Sequence, residues 1–296
     1  MEKPTKNTIM RIAILGGTGQ IGSAITDGLI QAYPTAQILS CSRNGGAKLH
    51  HQKFNVYSSD WSSLGQLDVV INAVGIIEET DENTFQKAHV GVVKSLIREA
   101  EKLGNPMIVH VSVNGANVNS VSKYASTKGE ADQLLMEQTN WNIIRPSFVC
   151  TPNTTIVQKV RMLFNLSNWQ LGFLPVPGLF LKPKFQPVMV NDMVELIKKI
   201  IDKKLNQQLI YATGPEIYTL KDWLNIISKH KITIIPLPHW LIDKPFRMLI
   251  KLFPQIMNKD QYLLMGVDNV HDNKEFKHIL GREPKSTKQF WNKELK

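Results

Sequence analysis

The chain has 296 residues, 43% of them hydrophobic, somewhat long for one ordinary domain and apolar enough for a full core. The opening MEKPTKNTIM holds no apolar signal core, and no stretch reaches the roughly 18 apolar residues of a bilayer span, so a cytoplasmic protein, or one peripheral to a membrane, is expected. The formal charge of +10 is uneven: residues 1–150 carry 13 basic and 13 acidic side chains and residues 151–296 carry 22 and 12, which suits either an anionic partner for the second half, membrane or protein, or a solvated basic face.

Short β-branched runs alternate with longer amphipathic stretches through the first half. RIAIL, AQILSC, KFNVY, LDVVINAV, MIVHVS and WNIIRPSFV read as strands, with helices between them over about 20–33, 82–103 and 122–138. This rhythm predicts a doubly wound parallel sheet of Rossmann type, and near-continuous apolar strands are what a sheet covered on both faces requires. After Cys150 an apolar segment is broken by Pro175, Pro177, Gly178, Pro183 and Pro187, which suits a substrate-pocket wall or a packed linker. A helix starting at NDMVELIKKIID, capped by Asn191 or Asp192, a strand QLIYAT and a helix opening at Thr219 follow. The expected organisation is a nucleotide-binding domain over 1–150 and a smaller mixed α/β part over 151–296, some of which returns to the first sheet.

The first strand runs into Gly16, Gly17, Thr18, Gly19, Gln20, Ile21 and Gly22, and then into a helix. Gly16 permits the tight turn, Gly19 lets backbone N–H groups approach a pyrophosphate, and Gly22 lets the helix pack on the sheet with its N-terminus toward the phosphate charge. The strand before and the helix after make this a dinucleotide-binding loop. About twenty residues on, where an NAD-binding protein carries an acid for the ribose hydroxyls, stand Ser42 and Arg43. A guanidinium in place of a carboxylate suits a 2′-phosphate, so NADP(H) is favoured over NAD(H).

Cys41 and Cys150 read as buried thiols, and the paired His50 and His51 lack ligand companions, so no metal site is expected. KYASTKG sets Tyr124 and Lys128 four apart on one helical face, a spacing that chance alone can produce in a lysine-rich chain.

These features resemble the short-chain dehydrogenase/reductase superfamily, in its extended or atypical branch. Asp60, followed by Trp61, matches the acid at the end of the third strand that in the family contacts the adenine amino group. Asn72, Ala73, Val74 and Gly75 resemble the loop beside the adenosine ribose, and Pro146, Ser147 and Phe148 resemble the loop flanking the nicotinamide. The tail segments ATGPEIYTLKDW, IIPLPHWL and MNKDQYLLMGVDNV look like the group related to the NADPH-carrying accessory subunit of mitochondrial respiratory complex I. The resemblance implies a catalytic triad. Tyr124 would exchange a proton with the substrate oxygen, Ser112 would hydrogen-bond that oxygen, and Lys128 would hold the nicotinamide ribose. Lys128 and an oxidised nicotinamide would also lower the phenol pKa from its ordinary value near 10. Many family members carry Asn where this chain has His89, which could substitute or simply pack as a helix histidine; His110 reads as core.

HWLIDKPFRMLIKLF, residues 239–253, predicts a basic amphipathic helix that either packs on the domain or lies on an anionic membrane. Three functions follow as expectations. The first is NADP(H)-dependent hydride transfer to or from a carbonyl or alcohol of an apolar substrate. The second is NADPH binding without turnover, for structure or redox sensing, and the third is nucleotide-sugar epimerisation or dehydration. The basic residues form no nucleic-acid-binding motif.

Overall fold

Burial along β1 (Arg11–Leu15) alternates between two cores: Ile12 and Ile14 enter one, Ala13 and Leu15 the other. That two-residue period is what a strand needs when both faces of its sheet are covered. The computed structural model describes residues 9–48, 50–151, 173–227, 233–238, 241 and 259–294. In chain order the elements after β1 are α1 (Gln20–Ala32), β2 (Gln37–Ser42), β3 (His51–Lys53), β4 (Val69–Asn72), α2 (Val92–Glu99), β5 (Met107–Val111), α3 (Lys123–Met136) and β6 (Trp141–Pro146). The second half contributes β7 (Val149–Cys150), β8 (Phe173–Pro177), β9 (Lys184–Phe185), β10 (Val188–Met189), α4 (Val190–Asp202), β11 (Gln208–Ala212), β12 (Tyr218–Thr219), α5 (Leu220–Ile227), β13 (Thr233–Leu237), α6 (Lys259–Met265), α7 (Lys274–Leu280) and α8 (Lys288–Glu294).

Seven strands form one sheet in the order β3-β2-β1-β4-β5-β6-β11, every neighbouring pair parallel. The doubly wound parallel sheet expected from the sequence is therefore the fold. QLIYAT returns from the second half as its edge strand, pairing Gln208–Ala212 with Asn142–Pro146. Helices α1, α4 and α7 cover one face, burying Ile25, Leu29, Met193, Leu196, Ile197 and Phe276; α2 and α3 cover the other, burying Val92, Val93, Leu96, Ala131 and Leu135. Strand order reverses between β1 and β4, so the crevice beyond their carboxyl ends is the place where this topology binds ligands.

Several local expectations change. The third strand is His51–Lys53 rather than KFNVY, because Phe54 and Val56 leave the sheet to pack with Trp61 and Leu64 in the second core. The long helix preceding β5 opens with a turn of π-helix over Gln86–Gly91, continues as α2 and closes with a 3-10 turn over Glu101–Leu103. The strand expected through Val149 ends at Pro146, which has no N–H for a ladder, and Val149 instead opens the short β7 paired with β10. Helix α4 begins at Val190, so Asp192 lies in its first turn; fully buried, it accepts from Arg282 and from the Lys285 backbone N–H rather than capping. Thr219 and Asp222 exchange hydrogen bonds at the start of α5, as a capping pair does.

Outside the main sheet, three two-stranded sheets and an aromatic cluster of Phe148, Phe185, Tyr218, Trp223 and Trp291 build the smaller part. The basic amphipathic stretch 239–253, apart from Leu241, and the segment 152–172 lie outside the described residues. Among the described residues no helix is long and apolar enough to cross a membrane. Both cysteines are buried free thiols, their pKa values raised by that burial.

Candidate functional site

The glycine loop closes over the carboxyl end of β1. Gly16, at φ +77°, and Gly17 both donate backbone N–H groups to the Cys41 carbonyl, tying the turn to β2 at 2.9 and 3.2 Å. A side chain at Gly16 would press on the Ala73–Val74 peptide at 3.0 Å, one at Gly17 would sit 2.2 Å from Ser40 Oγ, and one at Gly22 only 2.1 Å from the Gly16 carbonyl oxygen. Backbone therefore crosses backbone at Gly16 and Gly22, and the Ser40 side chain fills the space beside Gly17. Thr18, Gly19 and Gln20 are exposed, and α1 starts with neither a capping side chain nor an acid in its first turn. The positive end of a helix without a capping side chain fits a pyrophosphate. Ile21 is partly buried against the first core.

Beyond β2, Ser42 Oγ donates to the Gly45 carbonyl, while Arg43 is exposed with its guanidinium on Asn83 Oδ1. Asp60 is exposed and caps the following turn, accepting from Ser62 N–H and Oγ–H; those bonds hold its carboxyl below the ordinary range. Trp61 is a core residue, edge-on to Phe54, with its indole N–H on the Val56 carbonyl.

The loop after β4 is shaped from beneath. Asn72, buried, accepts the Val74 N–H on Oδ1 at 3.1 Å, so its amide nitrogen is the donor to His110 Nδ1 at 3.0 Å. Ala73 N–H returns to the Leu15 carbonyl. Gly75 lies next to Lys128, where an added Cβ would stand 3.7 Å from Nζ.

Helix α3 starts at Ser122, which caps it through Ala125 N–H, and Asp260 from α6 accepts from both Ser122 Oγ and Tyr124 N–H. Lys128 is 3% exposed, and its ammonium donates to the carbonyls of Val111 at 3.0 Å and Val74 at 3.5 Å. Burial draws its pKa down to about 8 against the pull of Asp132. Tyr124 is partly buried, edge-on to the rings of Phe85 and His89 at 5.6 and 5.2 Å. Burial pushes its phenol up to about 12. In the protein alone the Lys128 ammonium is directed to backbone carbonyls and ring packing desolvates the phenolate; the expected lowering concerns the site with an oxidised nicotinamide in place.

Ser112, at the end of β5, donates to Asp132 Oδ2 at 2.9 Å. Its hydrogen is turned inward rather than toward a substrate oxygen. His89, buried in the π-helical turn, is within 2.8 Å of Thr127 Oγ1 through Nδ1, and burial, with Lys128 adding to it, lowers its pKa to about 3. A π turn inserted in a helix is a frequent mark of a functional position. Pro146 offers its carbonyl to Asn114 N–H, Ser147 Oγ donates to the Asn269 carbonyl, and Phe148 turns away into the aromatic cluster, 6.1 Å from Trp291.

The structure thus gathers Gly16–Gly22, Asn72–Gly75, Ser112, Tyr124, Lys128, Pro146 and Ser147 around the carboxyl edge of the sheet, with Trp61 and Phe148 withdrawn into cores. Sequence reasoning missed Asp132 and Arg145 below the site and Asn114 and Asn269 beside it. Asn114 Nδ2 donates to Asn269 Oδ1 at 2.8 Å, joining the loop after β5 to the C-terminal segment. Asp132 alone carried a signal, since it follows Tyr124 and Lys128 at the same spacing of four. Among the described residues no group of acidic, histidine or cysteine side chains could hold a metal ion.

No family model matches the chain. It is 26% identical over 176 residues to NADH dehydrogenase [ubiquinone] 1 alpha subcomplex subunit 9, mitochondrial, of Mus musculus, an alignment covering 58% of this chain and 45% of that subunit. It is 24% identical over 244 residues to Protein FMP52, mitochondrial, of Candida albicans, covering 73% of this chain and all of that one. Its backbone superposes on UDP-glucuronic acid 4-epimerase from Bacillus cereus, solved with UDP-glucuronic acid and NAD, with a TM-score of 0.70 at 16% identity over 97% of this chain and 98% of that one. These likenesses agree with the resemblance to the short-chain dehydrogenase/reductase superfamily read from the sequence, and what the solved structure shares with this chain is its fold. The match spans less than half the length of the mouse subunit.

Proposed function

We propose that the protein is a short-chain dehydrogenase/reductase that binds NADP(H) in the crevice between β1 and β4 and transfers hydride to or from the carbonyl or alcohol carbon of an apolar substrate. The observation that carries this reading is the buried Lys128 ammonium, set between the loop after β4 and the end of β5, one helical turn from Tyr124. A lysine so far from solvent costs stability, which argues for a retained task. When bound, the nicotinamide cofactor supplies or accepts the hydride. The chain's own residues bind, orient and move the proton. The glycine loop and the N-terminal turn of α1 receive the pyrophosphate, Arg43 pairs with the 2′-phosphate, and Lys128 turns toward the ribose hydroxyls. Tyr124 gives its phenolic proton to a carbonyl oxygen or takes one from an alcohol. The Pro-rich segment around β8 and β9 forms the apolar wall, and the basic second half meets an anionic membrane surface or protein. The NAD-bound epimerase that shares the fold supports dinucleotide binding in this crevice; the choice of NADP(H) rests on Arg43 alone.

Calorimetric titration with NADPH and NADH tests it: NADPH should bind at least about tenfold tighter, a difference of about 1.4 kcal/mol. Binding of neither removes the proposal.

A second reading, NADPH binding without turnover, is favoured by two observations. The Ser112 hydrogen is held by Asp132, and the Tyr124 phenol, at about 12, is a poor proton donor at neutral pH. Slow, substrate-independent NADPH oxidation together with a stable partner in pull-downs would support it; efficient turnover of any carbonyl would exclude it.

A further inference from the structure

Three side chains one turn apart on α3, Tyr124, Lys128 and Asp132, form a single stripe facing the sheet. Asp132 is fully buried. Its Oδ2 accepts from Ser112 Oγ at 2.9 Å and from Arg145 Nε at 2.8 Å, and the arginine in turn donates to Tyr211 Oη at 3.0 Å. Its Oδ1 faces His110 Nε2 at 3.6 Å, and among the described residues neither atom has a hydrogen-bond partner. Because Asn72 donates to His110 Nδ1, the neutral imidazole carries its proton on Nε2, pointed at this carboxylate. The groups whose charge is coupled to Lys128 are Asp132 on its own helix, His110 on β5 and His89 on the π turn, and Tyr124 stands one helical turn away. Both histidines are held neutral, burial being the main cause and the lysine charge adding to it.

Asp132 and Lys128 are buried, and Arg145, on the carboxylate, is partly buried; burial pushes the Asp132 carboxyl up, and Arg145 and Ser112 work against that rise. Without Asp132 the lysine would lose the opposite charge that favours its ammonium, and desolvation would drive its proton off. We propose that Asp132 is a positioning residue of this site, a buried counter-charge that keeps Lys128 an ammonium and so keeps it a donor toward the cofactor ribose and the Tyr124 phenol. The proposal deepens the functional reading above and uses its assignment of Lys128.

The test needs neither cofactor nor substrate. The full chain, with lysine labelled by 13C at Cε, is titrated by NMR, and the Lys128 resonance is identified by its loss in Lys128→Arg. The wild-type midpoint should lie near 8, and in Asp132→Asn it should fall by at least about one unit, a tenfold loss of proton affinity. An unchanged or higher midpoint in Asp132→Asn overturns the proposal. Should that variant fail to fold, the wild-type and Asp132→Glu proteins decide. In both, the side-chain carboxyl at this position, followed by its own 13C resonance, should be ionised throughout the Lys128 titration; a carboxyl still protonated where Lys128 titrates carries no counter-charge and overturns the proposal. A chain that shows the shift yet binds neither NADPH nor NADH would refute the cofactor reading while leaving Asp132 in its role.

Discussion

At the carboxyl end of β1 the candidate site is made of backbone, and along α3 it is made of side chains. Gly16 and Gly22 leave the loop crossed so closely that no Cβ fits, Ser40 fills the space beside Gly17, and the positive end of α1 is set by the turn itself. Tyr124 and Lys128 instead depend on residues from β4, β5, β6, α6 and the π turn for their charge, orientation and dryness. Backbone sites are intolerant of any added atom but indifferent to pH. Side-chain sites tolerate isosteric exchange and are governed by protonation.

The sharpest way to break that contrast is Gly22→Val. Its Cβ would meet the Gly16 carbonyl oxygen at 2.1 Å, so the loop must open. Loss of measurable NADPH binding by calorimetry and a stability loss of about 1–3 kcal/mol in urea unfolding are expected. Retained affinity would mean that the loop does not hold the phosphates. Next in size, Tyr124→Phe should lower turnover of any accepted carbonyl by about 10²–10⁴-fold while leaving NADPH affinity intact. Unchanged turnover would take the phenol out of the mechanism.

The pH dependence separates the two poles further. His89 titrates near 3 in the fold against about 6.5 when unfolded, so between those values the unfolded chain binds the extra proton and stability is lost as pH falls. His110, also depressed, acts in the same direction. His89 contributes up to about 1.4 kcal/mol per pH unit in that window, and His89→Phe should flatten the profile of urea unfolding between pH 6.5 and 4 by one such proton. An unaltered slope would show that His89 is already solvated. Smallest, Arg43→Ala should weaken NADPH about tenfold and leave NADH unchanged, the loss of one charge-assisted contact at an exposed position. Equal effects on the two cofactors would remove Arg43 as the 2′-phosphate contact.

The strands and the glycine loop were legible because their constraints act between neighbours in sequence. A two-residue period marks a strand, and glycines three apart between strand and helix mark the turn. What stayed hidden is long-range pairing. Ser112 reads as a free hydroxyl until Asp132, twenty residues on, is seen to hold it. Tyr124 reads as an activated phenol until Phe85 and His89 are found against its ring. Trp61 and Phe148 sit within expected cofactor segments, but their large apolar surfaces are drawn into cores by the hydrophobic effect, which alternation alone does not reveal.

The amino-acid sequence by itself determined the parallel α/β architecture, the phosphate loop and the Tyr124–Lys128 register, because each follows from periodicity or from the steric needs of adjacent residues. Only the tertiary structure decided that QLIYAT completes the sheet, that a π turn carries His89 to Thr127, and that Lys128 shares its buried setting with Asp132 and Arg145. Those outcomes depend on which charges lose water together, and that is set by packing between segments far apart in the chain.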